Sequence, residues 1–171
     1  MSTWGPPQSA LWARNDQSST AASATPAVPQ QPPNGKVGEV LESTGLEGES
    51  LAIQLLEVQD PADFLFGAGG YQLAENERAI VVHSEFTNKG QVPFASLPDN
   101  YLELVTDGGE TVEKDPMSLT SRPPHKIGLA AGETASGHTI YLVRADTGIT
   151  AVRWSPRPEP DNRTCIWTIE R

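Results

Sequence analysis

The chain has 171 residues with 12 Lys+Arg against 22 Asp+Glu, a net charge of −10 and a sequence pI near 4.6. That sign is wrong for phosphate and excludes a nucleic-acid binder working through a basic field. Fifteen glycines and 15 prolines exclude a long-helix protein, and a single cysteine excludes a disulfide-stapled miniprotein.

Residues 1–36 read as a disordered tail. Pro6, Pro7, Pro26, Pro29, Pro32 and Pro33 alternate with Ser, Ala, Thr and Gln, and no periodic apolar face emerges. Such a segment cannot bury enough surface to offset an ordering cost of roughly 1–2 kcal/mol per residue. Its charges are Arg14, Asp16 and Lys36, about +1, so residues 37–171 hold about −11 of the total −10. Trp4, Leu11 and Trp12 stand out as apolar anchors in this polar setting. Tryptophan is the residue type most enriched at interface hot spots, so the three are candidate partner-binding residues of a short docking peptide. The alternative is a leader remnant or a segment that folds back on its own domain.

From residue 37 onward the texture changes to short β-type runs punctuated by turn residues. Leu51, Ile53 and Leu55 alternate with Ala52, Gln54 and Leu56, a period of two. Asp60–Phe66 suits a short helix with Asp60 as N-cap and Pro61 at N1, stopped by Gly-Ala-Gly-Gly at 67–70. Ile80, Val82, Ser84 and Phe86 alternate with Val81, His83, Glu85 and Thr87, and Asn88-Lys89-Gly90 supplies a turn. Leu102 and Leu104 share one face, Asp107-Gly108-Gly109 turns the chain, and Glu110–Glu113 returns as a hairpin. Strands over Thr134–Arg144, Ile149–Trp154 and Thr164–Glu170 follow. About eight strands at this spacing predict an all-β, two-sheet sandwich. Trp154, Trp167, Ile80, Val82, Phe86, Leu102, Leu104, Ile140 and Leu142 are its expected core.

Three of these pieces together resemble a known family: Arg78-Ala-Ile-Val-Val-His-Ser-Glu-Phe-Thr-Asn-Lys-Gly90, Leu102-Glu-Leu-Val-Thr-Asp-Gly108, and Ala131-Gly-Glu-Thr-Ala-Ser-Gly137. In order they are similar to the bacterial immunoglobulin-like domain-of-unknown-function family common in Gram-positive lipoproteins. That family is similar in fold to a mycobacterial secreted immunoprotective protein. The resemblance covers about residues 37–156. It implies an immunoglobulin-like β-sandwich, a binding or assembly role, no catalytic residues to carry over, and an extracytoplasmic location. The chain departs from the family by an added strand at Cys165-Ile-Trp-Thr-Ile, and by showing no lipid-attachment cysteine, leader or membrane helix. Its longest aliphatic run, Ala79–Val82, is far short of the roughly 20 residues a spanning helix needs. Met1 is compatible with a cytoplasmic start and with a chain trimmed of its leader, so a cytoplasmic or particle-associated location stays open.

The remaining candidates favour structural readings. His83, His125 and His138 match no metal-ligand spacing and read as ordinary strand or loop histidines. Cys165 shares a strand face with Trp167 and Ile169 and reads as buried core, with an intermolecular disulfide as the alternative. Acidic groups at Asp60/Asp63, Asp107/Glu110/Glu113/Asp115 and Glu159/Asp161 lack the ligand spacing of a calcium loop and read as solvated surface. The 67–70 glycine run lacks the context of a phosphate loop.

These readings predict a disordered tail over 1–36 and an immunoglobulin-like sandwich over 37–171. The expected function is non-enzymatic: a binding or assembly module making contacts with a protein partner at a bacterial, actinobacterial-type cell envelope or as a secreted protein. No cofactor, metal, nucleic acid or membrane span is expected. The alternative is a structural or decorating subunit of a virion or other large particle, docked through its N-terminal tail.

Overall fold

The computed structural model describes residues 33–44, 48–156 and 163–170. Within them nine strands, one short α-helix and one 3-10 turn follow in order: β1 (Asn34–Lys36), β2 (Val40–Thr44), β3 (Ser50–Gln59), α1 (Asp63–Ala68), β4 (Glu77–Asn88), the 3-10 turn Pro98–Tyr101, β5 (Leu102–Thr106), β6 (Thr111–Val112), β7 (Thr134–Arg144), β8 (Ile149–Trp154) and β9 (Cys165–Thr168). They form two sheets, β1-β9-β8-β5-β6 and β2-β3-β4-β7. All neighbours are antiparallel except β1, which runs parallel to β9. The architecture is the expected all-β two-sheet sandwich.

The alternation of each strand decides what faces the gap between sheets. Leu51, Ile53 and Leu55 of β3, Ile80, Val82 and Phe86 of β4, and Tyr141 and Val143 of β7 come from one side. Leu102 and Leu104 of β5, Val152 and Trp154 of β8, and Cys165 and Trp167 of β9 meet them from the other. Each large aromatic also places its polar atom. Trp154 Nε1 donates to the Pro98 carbonyl at 2.9 Å, and Trp167 Nε1 donates to the Glu39 carbonyl at 3.0 Å. Tyr141 Oη donates across the gap to the Leu102 carbonyl at 2.7 Å, tying the two sheets together. Full burial keeps that phenol protonated, its pKa pushed well above the ordinary value. Cys165 is buried in this core as expected, and burial pushes its thiol up to about 12, away from reactive thiolate chemistry.

Ile140 is buried as expected, but it and the half-buried Leu142 pack on the other face of the sheet from the inter-sheet core. They face outward, where Ile140 joins Ala62, Leu65, Phe66, Ala79, Val81 and Leu119 in a second apolar cluster, with Leu142 half-buried against it. Both faces of β4 and β7 are apolar, so alternation alone does not say which face meets the opposite sheet. The helix also shifts: α1 starts at Asp63, not Asp60, and runs through Gly67 to Ala68 before stopping at Gly69 and Gly70. Asp60 does not cap it, because both of its carboxylate oxygens accept from Arg78, at 2.6 and 3.1 Å. Residues 34–36, read from the sequence as part of the tail, form strand β1.

The inter-sheet hydrogen bond gives a direct check. Tyr141→Phe keeps the ring but leaves the buried Leu102 carbonyl without its donor, and should cost about 1–3 kcal/mol in urea unfolding. A change below 0.5 kcal/mol, on the order of a surface substitution, would show that the bond is not what joins the sheets.

Candidate functional site

All three histidines come together on the β4–β7 pair, although the sequence scatters them. The register sets His83 of β4 directly opposite His138 of β7. Their rings stack with centroids 4.2 Å apart and planes 13° from parallel. The His138 N–H does not pair with β4; it donates at 2.9 Å to the Pro123 carbonyl on the other side of β7. The histidines are therefore a non-hydrogen-bonded cross-strand pair, the type whose side chains lie closest. His138 Nδ1 lies 3.0 Å from the same carbonyl, and since a carbonyl only accepts, Nδ1 carries the proton.

The Pro123–His125 segment lies along the edge of β7, with Pro124 bridged to His138 in parallel. This close approach depends on Gly137: a Cβ there would sit 2.6 Å from the His125 nitrogen and 2.7 Å from its Cα and Cγ. His125 is only 6% exposed. Its Nε2 lies 2.9 Å from Ser84 Oγ, and its ring stands edge-on to Phe86 at 5.2 Å. Close by, the buried Asp99 carboxylate accepts from Thr139 Oγ1 and from Lys114 Nζ, each at 2.9 Å.

Burial lowers the His125 pKa to about 4; the Asp99 charge opposes this, while His138, Lys114 and His83 add to it. His138 is also lowered, first by burial, with His83 and Arg122 contributing and the Pro123 carbonyl and Glu57 opposing. Both imidazoles are neutral near pH 7.

Ser84, His125 and Asp99 are the residue types of an acyl-transfer triad, but their setting excludes that chemistry in this conformation. Ser84 is fully buried, and a nucleophile must reach its substrate. Both Asp99 oxygens are engaged by Lys114 and Thr139. The group is a satisfied polar insertion that pins the 123–125 segment to the sheet.

The other sequence candidates do not converge. Trp4, Leu11 and Trp12 lie outside the described residues, as do Glu159 and Asp161. Asp60 is paired with Arg78, Asp63 accepts the Ala79 N–H at 2.8 Å, and Asp115 accepts the Met117 N–H at 3.0 Å. Among the described residues, no group of three or more His, Cys, Asp or Glu could hold a metal ion. No described helix is long and apolar enough to cross a membrane. The histidine grouping carried no local signal, since it depends on strand register and on the path of a loop.

Solved structures similar to the chain are β-sandwiches. A secreted protein from Mycobacterium tuberculosis, MPT63, aligns over 80% of this chain and 97% of its own, with a TM-score of 0.61 at 15% identity. An uncharacterised β-sandwich protein from Clostridium difficile aligns over 85% and 99%, with a TM-score of 0.50 at 9% identity. The likeness fixes the fold. A putative lipoprotein of Bacillus subtilis, YcdA, aligns over 75% of this chain but 38% of its own, with a TM-score of 0.54 at 14% identity. No protein-family model and no curated protein sequence matches the chain.

Two outcomes follow from the histidine packing. His125 binds its proton less readily folded, at about 4, than unfolded, at about 6.5, so the unfolded chain takes up more protons between these values. Its contribution is fully present above pH 6.5 and is lost as pH falls toward 4, a destabilisation of about 3 kcal/mol. Urea unfolding at a series of pH values should show this slope in the wild type and a shallower one in His125→Gln; equal slopes would assign the acid sensitivity elsewhere. Gly137→Ala should destabilise by about 1–3 kcal/mol through overpacking against the 123–125 backbone. Accelerated amide exchange at His138, whose N–H bonds Pro123, would locate the damage; unchanged exchange there would refute the proposed contact.

Proposed function

We propose that the chain is a non-enzymatic binding or assembly module, acting through protein contacts at a bacterial cell envelope or as a secreted protein. The observation that carries this reading is the burial of Ser84 and His125: the one described grouping of nucleophile and base is sealed inside the sandwich. What the domain offers other molecules is surface, and the net charge of −10 suits a soluble one. Similarity to a secreted mycobacterial protein and to a putative lipoprotein supports an extracytoplasmic setting. The ordered motifs at 78–90, 102–108 and 131–137 support membership of the immunoglobulin-like domain-of-unknown-function family. Trp4, Leu11 and Trp12 precede the sandwich and supply its anchors, since two tryptophans and a leucine in polar sequence gain most from burial against a partner.

The test is photo-cross-linking in producing cells, using the full chain, a form lacking residues 2–15, and Trp4→Ala/Trp12→Ala. A discrete adduct in the envelope or medium fraction that disappears in both altered forms is the expected result. An adduct unaffected by removal of residues 2–15 overturns the anchor assignment. A chain confined to the cytoplasmic fraction overturns the extracytoplasmic setting.

A further inference from the structure

Residues 120–128 form a flap against the edge of β7. Leu119 and Leu129, which flank it, are both buried, Leu119 in the outer apolar cluster and Leu129 in the inter-sheet core. At the two ends Arg122 N–H donates to the Leu119 carbonyl and Gly128 N–H to the Ser96 carbonyl, each at 3.0 Å. Between these ends His125 is the one buried residue. Pro123 and Pro124 are exposed even though they lie on β7, through the His138 N–H and the Pro124–His138 bridge. The flap thus has two fixed ends and one buried pin. A segment with so little buried apolar surface opens at a lower free energy than the sheets beneath it.

The pin is sensitive to charge. Four charged or titratable groups face His125: Asp99 from the 3-10 turn, Lys114 after β6, His83 from β4 and His138 from β7, the last two stacked on the outward face of the sheet. Of these only Asp99 favours a positive imidazole, and its two oxygens already accept from Lys114 Nζ and Thr139 Oγ1. Asp99 and Lys114 balance one another, so a proton on His125 adds a buried cation with no counter-ion of its own. The remaining neighbours of the ring are Ser84, Phe86 and the Gly137 backbone, none of which carries charge. On the flap itself Arg122 is a further cation, and Lys126 is paired with Glu133. Swinging the ring into water relieves the unmatched charge, and a flap with exposed flanks permits that movement.

We propose that residues 120–128 are an acid-released flap: protonation of His125 expels its ring from beside Ser84, and the flap lifts off β7 while the two sheets stay paired. Lifting frees the His138 N–H and opens the β7 edge beside Gly137. An open strand edge is the kind of surface to which an extended segment adds. The flap therefore couples acidity to the exposure of a contact surface that is closed near pH 7. This device rests on the fold and does not depend on the partner reading above.

The test is native-state amide exchange of the full chain, followed by NMR at pH 7 and pH 5 and at several urea concentrations below the unfolding transition. Rates are converted to protection factors, which removes the intrinsic pH dependence of exchange. With the His125 proton bound at about 4 in the closed form and about 6.5 in the open one, protection of the His138 amide should fall about twentyfold from pH 7 to pH 5. It should be lower than that of Ile80 and Val82 in the β4–β7 ladder at both pH values, and nearly independent of urea, as local opening requires. His125→Gln should abolish the fall. Should that variant fail to fold in a thermal melt, the ring resonances of His125 in the wild type decide: titration near 4 supports the device, and titration near 6.5 overturns it. A His138 amide that shares the protection and urea dependence of Ile80 and Val82, protection unchanged at pH 5, or an equal fall in His125→Gln also overturns it.

Discussion

Strand β4 has to be buried on both faces, and much of the remaining structure answers that requirement. Ala79, Ile80, Val81 and Val82 are each at most 1% exposed. Antiparallel sheets commonly leave one face to water, but a continuous aliphatic run cannot be satisfied that way. Ile80 and Val82 meet the opposite sheet, while Ala79 and Val81 need a separate cover, which α1 and Leu119 provide. The cover is joined to the strand through the backbone. The ladder between β3 and β4 ends at Gln59 and Val81, and beyond it Ala79 would have unpaired groups. Ala62 N–H donates to the Ala79 carbonyl at 2.7 Å, and Asp63 accepts the Ala79 N–H, so the lead into α1 takes over where β3 ends.

The same requirement shapes the edge of the sheet. Among the described residues β7 has no further strand beyond it, yet two of its outward backbone groups are engaged: Asp115 N–H donates to the Ile140 carbonyl at 2.8 Å, and His138 N–H donates to Pro123. A segment held close to an edge blunts its tendency to pair with other chains. It must also be held on without being a strand, and the His125–Ser84 bond and the Gly137 contact meet that need. The buried histidine is therefore part of how the edge is closed. Its sensitivity to acid is a consequence of placing a titratable group at that closure.

Legibility in the sequence followed how local each determinant is. The strands β3, β4, β5, β7 and β8 could be read from alternation and turn residues, because a strand with one dominant apolar face announces its own period. The face of Ile140 could not, since Tyr141 and Val143 beside it are as apolar, and the cover that takes Ile140 comes from elsewhere in the chain. The start of α1 is not legible either, because Asp60, a good cap by type, is claimed by Arg78 from the next strand. β1, Asn34-Gly35-Lys36, has no apolar pattern at all; it is a strand only because β9 offers an edge. The histidine cluster was illegible for the same reason. Spacing rules find sites built on one element, and this one is built from register across β3, β4 and β7 plus a loop.

The position of the outward histidines can be explained without appeal to function. Along β4, Ala79 and Val81 lie under cover while Glu85 and Thr87 do not join the outer cluster; along β7, Ile140 lies under cover while Ser136 is exposed. His83 and His138 occupy the boundary in both strands. An amphipathic ring suits a boundary, because its face can pack while a nitrogen reaches water. Packing alone, however, accounts equally well for a Tyr or Gln at either position, and it does not require that the two rings be partners. It is silent on the bulge that brings Glu57 level with them and on the carbonyl that fixes the His138 tautomer.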